Sequence, residues 1–191
     1  MKAEFPLNSL GLTHRVMATH VKPGAFCIDA TAGKGRDTLF LCGLVGPTGR
    51  VLAMDIQAEA VAQTAALLTE HGVAERARVV QVCHSRMGEY AAPETVDGIM
   101  FNFGWLPGGD HTVFSGPDTS IAAVKAGLEL LKPGGVMTLC IYYGRENGVA
   151  ERDALLRFLP ALDNRRYTVI RGDFVNRTGD VPIPVCIVKE Y

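Results

Sequence analysis

Short apolar runs alternate with amphipathic helical patterns along most of the chain, and this alternation predicts a parallel sheet covered by helices on both faces. Apolar runs bounded by turn residues predict strands at residues 26–30, 50–55, 78–82, 96–101 and 136–142. Helical spacing of apolar residues predicts helices at residues 7–21, 37–45, 58–70, 120–131 and 148–159. We therefore expect an α/β fold.

The last part of the chain departs from this alternation. Two predicted strands, at residues 167–175 and 185–189, have no helical pattern between them. Antiparallel neighbours need no helical crossover, so we expect these strands to form an antiparallel hairpin at one edge of the sheet. Because no repeat, low-complexity tract or linker interrupts the pattern, residues 1–191 are predicted to form a single domain.

Composition limits the possible partners. Hydrophobic residues make up 48% of the 191 residues, and the formal net charge is −1. Such a chain has no overall basic field, so any contact with nucleic acid must come from a local basic patch. One candidate patch consists of four arginines near the end of the chain, Arg165, Arg166, Arg171 and Arg177. Solvated charge on an edge strand is the alternative.

The cysteines and the apolar runs bear on location. The five cysteines are widely spaced and form no C-x-x-C pair, which favours buried thiols in a reducing compartment. No signal peptide is recognisable, and no apolar run is long enough to span a bilayer. We therefore expect a cytoplasmic protein without a membrane segment or a metal ion.

The most informative motif joins the first strand to the following helix. Asp29 ends the apolar run, Gly33 and Gly35 form a turn of small residues, and the helical pattern begins directly afterwards. In open α/β sheets, ligands bind beyond the carboxyl ends of the strands, and glycines there let the backbone approach a ligand closely. An acid before the glycines favours S-adenosylmethionine, because a carboxylate can bind its cationic amino group directly or through water.

Other ligands fit this turn less well. A dinucleotide site favours G-x-G-x-x-G, and the third glycine is missing here. The phosphate-binding pattern G-x-x-x-x-G-K-[ST] is also absent. An ordinary strand-to-helix turn is the alternative interpretation.

Residues after the second and third strands complete the predicted cofactor pocket. Asp55 ends the second strand, where a carboxylate can accept both ribose hydroxyls; a solvated strand end or a helix cap is the alternative. After the third strand, His84 or Ser85 can contact the adenine and Met87 can pack on its face. A polar loop capped by Ser85 is the alternative there. The same pocket is predicted to include Thr31, Asp37, Gln57 and Asn102.

A long loop after the fourth strand carries the residues expected to bind a substrate. It begins at Asn102 and includes the single tryptophan, Trp105, and the acidic and imidazole side chains of Asp110 and His111. Asn102 is similar to the asparagine of amine methyltransferases that carry Asn-Pro-Pro-Tyr, in which the amide holds an amine with its lone pair aimed at the methyl group. A surface loop with Trp105 packed as a lid is the alternative.

Three aromatic or imidazole side chains are further candidates. Tyr142 and Tyr143 end the fifth strand and are predicted to face the same rim, where they can stack on a base or hydrogen-bond it. Aromatic packing at the end of the sheet is the alternative. His14, on the leading helix, can line the pocket as a lid, although a lone helical histidine is more often a surface residue.

Together these motifs resemble the family of putative rRNA methylases, a small bacterial family that includes a methyltransferase for a modified wobble uridine of tRNA. The resemblance runs through nearly the whole chain and is most specific in the Asn-x-Gly-x-Leu-Pro-Gly-Gly-Asp loop at residues 102–110. It implies a Rossmann-like class I methyltransferase fold, with a seven-stranded, mostly parallel sheet. It also implies S-adenosylmethionine as the methyl donor, and a homodimer.

The reaction implied by the resemblance is methylation of the exocyclic amine of 5-aminomethyl-(2-thio)uridine at the tRNA wobble position. In the predicted mechanism Asn102 holds the amine, and Asp110 or His111 accepts its proton. Ribosomal RNA or a small amine is the alternative acceptor. A cofactor-binding module without catalysis and a nicotinamide-dependent reductase are the alternatives from other functional classes. The residues predicted to bind the substrate are Trp105, Leu106, Tyr142 and Tyr143.

Overall fold

The computed structural model of the chain describes residues 5–104, 116–144 and 146–191. The helices are α1 (Ser9–His20), α2 (Arg36–Val45), α3 (Ala58–Glu70), α4 (Pro117–Leu130) and α5 (Glu146–Phe158). The strands are β1 (Phe26–Asp29), β2 (Arg50–Asp55), β3 (Ala77–Gln81), β4 (Val96–Phe103), β5 (Leu131–Ile141), β6 (Tyr167–Arg171) and β7 (Ile183–Lys189). Short 3₁₀ turns lie at Ala74–Arg76, His84–Glu89 and Leu159–Ala161.

The strands form one seven-stranded sheet in the order β3-β2-β1-β4-β5-β7-β6. The first five strands are parallel, whereas β7 is antiparallel to both β5 and β6. The chain moves outward from β1 to β3 and then returns to β4 on the other side of β1. This reversal separates the connections that follow β1 and β4, and it opens a crevice at the carboxyl ends of those two strands.

Two apolar clusters, one on each face of the sheet, make up the core. Neighbouring residues of a strand point to opposite faces, so Ile28 belongs to one cluster and Cys27 to the other. Val124 of α4 packs in the cluster of Ile28, whereas Met17 of α1 and Leu41 of α2 pack in the cluster of Cys27. Each fully buried side chain of this size contributes about 1.5–3 kcal/mol. The two covered faces therefore hold the crevice rigidly at the edge of the sheet.

The predicted α/β order is observed, and most element boundaries differ by one to five residues; three of these differences concern β4, β5 and β6. β4 continues through Phe103, because Phe101 and Phe103 are buried and stacked at 4.9 Å, and pairing with β5 runs as far as Ile141. β6 ends at Arg171 instead of residue 175. β5 begins at Leu131 instead of residue 136, and residues 132–135 lie inside it, where the pairing of β5 with β4 shifts register.

The predicted hairpin is present at one edge, with β7 inserted between β5 and β6. In the described ranges, none of the helices has both the length and the apolar character needed to cross a membrane.

Candidate active site

The turn after β1 is built around the buried carboxyl of Asp29. This carboxyl has no solvent exposure; it accepts a bond from the Thr38 hydroxyl at 2.6 Å and one from the Thr31 amide at 3.2 Å. Burial, and secondarily the nearby charge of Asp37, raise the pKa of Asp29 to about 7. Asp29 therefore faces the inside of the turn, and its predicted contact with a cofactor stays a prediction.

The two glycines of the turn have different surroundings. Gly33 has a φ of +53°, and its amide donates to Asp55 Oδ2 at 2.9 Å. Gly35 has a φ of +79°, and a Cβ added there would lie 2.9 Å from the Cα of Thr64 in α3. The absence of a side chain at Gly35 therefore lets α3 approach the turn, and the predicted close approach of a ligand to this glycine stays a prediction.

Asp55, at the end of β2, ties two backbone segments together. One carboxylate oxygen accepts the Gly33 amide, and the other accepts the Gln57 amide at 2.9 Å, directly before α3. A carboxylate oxygen can accept more than one hydrogen bond, so capacity for ribose hydroxyls is left. The next residue, Ile56, is 38% exposed and places apolar surface beside this carboxylate. The roles of Asp55 and Gln57 toward a cofactor stay predictions.

A three-residue hydrogen-bond chain connects α1, α2 and β4 at the crevice. His14 Nε2 lies 2.7 Å from Asp37 Oδ1, and the Asn102 amide nitrogen donates to Asp37 Oδ2 at 2.5 Å. The backbone amide of Asn102 donates to the Thr31 hydroxyl at 2.7 Å. Asp37, in the first turn of α2, therefore fixes both a histidine and the asparagine predicted to hold the acceptor.

The side-chain oxygen of Asn102 is buried and has no hydrogen-bond partner among the described residues. An ionised carboxylate only accepts, so Asp37 requires the NH₂ group of Asn102 to face it, and the oxygen must face the other way. Buried polar atoms almost always have a partner, and an exception calls for an explanation. The Asn102 oxygen is thus oriented to accept a bond from a ligand that carries N–H or O–H groups.

His14 has a larger role than the sequence indicates. Its ring stacks on Phe40 with centroids 4.1 Å apart, and the edge of Phe5 contacts it at 5.8 Å. These aromatic contacts hold the imidazole against Asp37. An acid in the first turn of α2, facing a histidine of an amphipathic helix, is the only sequence signal for this pair.

The segment after β3 is more buried than predicted. His84 is 7% exposed and packs against Phe101 and Phe103, and burial lowers its pKa to about 4. The Ser85 hydroxyl lies 3.1 Å from the Cys83 sulfur. Met87 is fully buried in the core beneath α4, so its predicted packing on a base is wrong. Base contacts by His84 and Ser85 stay predictions.

The two tyrosines after β5 contact different residues, and their predicted shared rim stays a prediction. Tyr142 packs against Gly104, and burial raises the pKa of its hydroxyl, with further contributions from Cys140 and Asp37. Tyr143 lies under the Arg152 guanidinium, 4.6 Å from its ring centroid. Tyr142 is therefore close enough to Asp37 to feel its charge. The predicted residues Trp105, Leu106, Asp110 and His111 lie outside the described residues.

The crevice carries excess negative charge. Asp29, Asp37 and Asp55 lie at the same edge, and in the part of the chain that the structure describes, no lysine or arginine forms an ion pair with them. His14 is the basic partner of Asp37. Such a field favours a cationic ligand and disfavours a pyrophosphate. Within the described ranges, no group of three or more His, Cys, Asp and Glu side chains is placed to hold a metal ion.

The sequence is similar to those of known RNA methyltransferases. A family model described as "Putative rRNA methylase" matches residues 51–188. The chain is 35% identical over 176 residues to a protein of Arabidopsis thaliana named tRNA (mnm(5)s(2)U34)-methyltransferase, chloroplastic. That match covers 87% of this chain and 64% of the Arabidopsis protein, so the chain spans less than two thirds of that relative.

Solved structures share the fold over almost the whole chain. A putative rRNA methylase from Clostridium thermocellum is 41% identical, with a TM-score of 0.93, and the match covers 96% of this chain and 98% of that one. A putative methyltransferase from Streptococcus mutans, crystallised in complex with SAH, is 30% identical, with a TM-score of 0.87 and coverage of 96% and 99%. These likenesses confirm the predicted Rossmann-like methyltransferase fold.

Proposed function

Because the chain belongs to the rRNA methylase family of S-adenosylmethionine-dependent methyltransferases, we propose that it methylates an amine on RNA. The proposed acceptor is the exocyclic amine of 5-aminomethyl-(2-thio)uridine at the wobble position of tRNA. The observation that carries this proposal is the buried, unpartnered oxygen of Asn102, held in orientation by Asp37. The name of the Arabidopsis relative supports the choice of tRNA.

The described residues fit S-adenosylmethionine. The acidic side chains Asp29, Asp37 and Asp55 at the crevice suit its cationic sulfonium and amino groups, because no lysine or arginine among the described residues pairs with them. Asp55 has acceptor capacity for ribose hydroxyls, and Ile56 offers apolar surface beside it. When bound, the donor supplies an electrophilic methyl group on a positively charged sulfur. The protein's part is to hold donor and acceptor in line, which removes several kcal/mol of the barrier.

The acceptor amine needs its lone pair free. An alkyl amine is mostly protonated at neutral pH, and the carboxylates of the crevice also favour its charged form; exclusion of water and the positive sulfonium of the bound donor favour its neutral form. The Asn102 oxygen accepts an N–H bond from the neutral amine, which leaves the lone pair directed at the methyl carbon. The nitrogen–carbon bond forms as the carbon–sulfur bond breaks, and the sulfur keeps the electron pair. The surplus proton on the new secondary amine goes to Asp110 or His111 in our proposal.

Methyl transfer measured with the acceptor nucleoside present and absent tests this proposal. Wild-type protein should transfer a labelled methyl group to tRNA that carries 5-aminomethyl-2-thiouridine and not to the same tRNA without the aminomethyl group. Asn102→Ala should lower the single-turnover rate about 10- to 100-fold, the equivalent of one hydrogen bond in the transition state. Asn164→Ala, an exposed asparagine before β6, is the matched control and should leave the rate unchanged. Full activity of Asn102→Ala would remove the central claim.

Ribosomal RNA is the competing acceptor. The chain is 31% identical over 111 residues to a protein of Shewanella loihica named Ribosomal RNA small subunit methyltransferase H. That match covers 54% of this chain and 33% of that protein. Bulk tRNA, ribosomal RNA and small amines should therefore be compared as labelled-methyl acceptors. Labelling of ribosomal RNA alone would exclude the tRNA proposal and leave the enzyme class in place.

The proposal treats residues 1–191 as one catalytic domain that works as a homodimer in the cytoplasm. All five cysteines are free thiols in the structure, which supports a reducing compartment. The homodimer is supported by the family resemblance. Light scattering during size-exclusion chromatography measures the mass directly, and a monomer would exclude the dimer without affecting the proposed chemistry.

A further inference from the structure

A second cleft lies beside the candidate active site, where the segment between β6 and β7 meets the end of β5. Its volume is about 260 Å³, and its lining includes Tyr143, Arg171, Phe174 and Arg177. Drug-sized ligands fill pockets of roughly 300–1,000 Å³, so this cleft suits a smaller group such as one nucleotide. The proposed methyl transfer uses none of these side chains directly.

The cleft carries cationic groups that have no acidic partner. Neither Arg171 nor Arg177 forms an ion pair with any of the residues that the structure describes. Arg177 donates to the backbone carbonyl of Leu7 at 2.7 Å, which fixes the guanidinium at the rim. Asp173 is the one carboxylate among the lining residues, so the lining keeps a net positive charge. This charge is opposite in sign to that of the neighbouring crevice.

Aromatic rings accompany these guanidinium groups. The Arg177 guanidinium lies 4.3 Å from the ring centroid of Phe174. The ring of Tyr143 lies 4.6 Å from the guanidinium of Arg152, which is outside the lining and is paired with Asp153. Single-stranded RNA is bound by this combination, because its unstacked bases stack on aromatic rings and arginine planes while cations contact its phosphates. The chemistry of the lining therefore fits a nucleotide better than an apolar or cationic ligand.

The position of the cleft relates it to the acceptor site. Ile183 lines the cleft and pairs with Ile141 of β5, which pairs in turn with Phe103 of β4, next to Asn102. Two strand spacings, about 10 Å, therefore separate the backbone of Ile183 from that of Phe103. The first residue of α1 also contacts the cleft, because the Ser9 hydroxyl donates to the carbonyl of Pro182, another lining residue.

We propose that this cleft binds a nucleotide adjacent to the acceptor nucleoside in a single-stranded stretch of RNA. Arg171 and Arg177 contact the phosphates, and Phe174 and Tyr143 provide the surface on which the base stacks. The inference rests on the proposed function in one respect, namely that the acceptor is part of an RNA. Because the chain as a whole is nearly neutral, RNA binding needs a local basic patch, and Arg171 and Arg177 supply one.

Direct RNA binding tests this assignment. Fluorescence anisotropy with a labelled tRNA anticodon stem-loop, over a series of salt concentrations, gives the affinity and its salt dependence. The double variant Arg171→Gln/Arg177→Gln should bind at least about 10-fold more weakly, and its log–log salt slope should be shallower by about 1.4, the value for two lost phosphate contacts on a single strand. Phe174→Leu should weaken binding several-fold without changing that slope. Arg50→Gln, at the exposed start of β2, is the matched control and should bind like wild type.

Two further measurements separate RNA binding from folding and from chemistry. Because Arg177 also bonds Leu7, the single variant Arg171→Gln, which breaks no described hydrogen bond, should show about half of the slope change with an unchanged melting temperature. In methyl transfer, KM for RNA should rise while kcat stays constant. Wild-type affinity and slope in the double variant would overturn the assignment. Arginine-dependent RNA binding without methyl transfer to any RNA would support the cleft and contradict the proposed function.

Discussion

The Asp37 carboxylate accepts the side-chain NH₂ group of Asn102 at 2.5 Å, and this bond leaves the Asn102 oxygen buried without a partner among the described residues. Asp37 is itself held by His14, so an element at the beginning of the chain determines the orientation of an amide on β4. The proposed acceptor contact therefore depends on a residue that need not touch the acceptor at all. Asp37 acts as a positioning residue in this account.

Asp37→Asn, assayed at a saturating concentration of S-adenosylmethionine, should disturb the orientation of Asn102. An asparagine at this position can present either oxygen or nitrogen to Asn102, so the Asn102 amide is no longer fixed in one orientation. We expect the single-turnover rate to fall about 10-fold, the equivalent of about 1.4 kcal/mol. The KM for RNA should remain close to that of wild type. Asp118→Asn, on the exposed first turn of α4, is the control. An unchanged rate in Asp37→Asn would show that the carboxylate does not position the amide.

Thr38→Val should destabilise the fold, because it removes the hydroxyl that bonds the buried Asp29 carboxyl. The free energy of unfolding should fall by about 1–3 kcal/mol, the cost of leaving a buried polar group without its partner. Thr138→Val is a matched comparison, since the Thr138 hydroxyl is also buried but has no partner among the described residues. That variant should be neutral or stabilising in urea unfolding. Equal losses in both variants would contradict the assigned role of the Thr38 bond.

Gly35→Ala and Gly43→Ala should shift stability in opposite directions. At Gly35 the φ of +79° and the contact of 2.9 Å with Thr64 both oppose a side chain, and we expect a loss of about 1–3 kcal/mol. Gly43 lies in α2, with nothing within 4 Å of an added Cβ. Alanine there should stabilise the helix by about 0.5–1 kcal/mol. Thermal unfolding of the two variants compares them directly, and a stable Gly35→Ala protein would place α3 farther from the turn.

Stability should depend on pH through His84, whose pKa is lowered to about 4 by burial. Above the usual histidine pKa near 6.5, both folded and unfolded states are neutral at this position and no dependence arises. As the pH falls from about 6.5 to 4, the unfolded state binds a proton and the folded state does not, so the free energy of unfolding decreases. His84→Leu should remove this component.

The difference in stability between wild type and His84→Leu, measured at pH 7.5 and at pH 4.5 by urea unfolding, isolates the histidine. The raised pKa of Asp29 acts in the opposite direction over the same range, and it cancels in this difference because both proteins contain it. A difference that does not change with pH would mean that His84 binds a proton as readily in the folded state as in the unfolded state.

Much of the fold and of the candidate site could be predicted because parallel strands place their carboxyl ends at one edge. The α/β order, the hairpin, the family and the methyl donor follow from local patterns and from motifs next to strand ends, and they are confirmed. Asp55 and Asn102 were located by the same argument. Their roles in binding stay predictions.

The remaining features depend on contacts that no local pattern encodes. The pairing of His14 with Asp37 spans 23 positions and exists because α1 packs across the sheet. Gly35 interacts with Thr64, 29 positions later by the numbering, because α2 and α3 are neighbours. Met87 is buried beneath α4, and Tyr143 contacts Arg152 of α5. Each of these depends on how helices pack, which the spacing of apolar residues leaves open.

Nucleoside mass analysis tests the central claim most directly. tRNA bearing 5-aminomethyl-2-thiouridine is incubated with S-adenosylmethionine and either wild-type protein or Asn102→Ala. The tRNA is then digested to nucleosides, and the mass of the wobble nucleoside is measured by mass spectrometry. The account predicts that wild type adds one methyl group to this nucleoside and that Asn102→Ala leaves most of it unmodified in the same time. A wobble nucleoside unchanged by wild-type protein, or methylated equally by Asn102→Ala, would contradict the account.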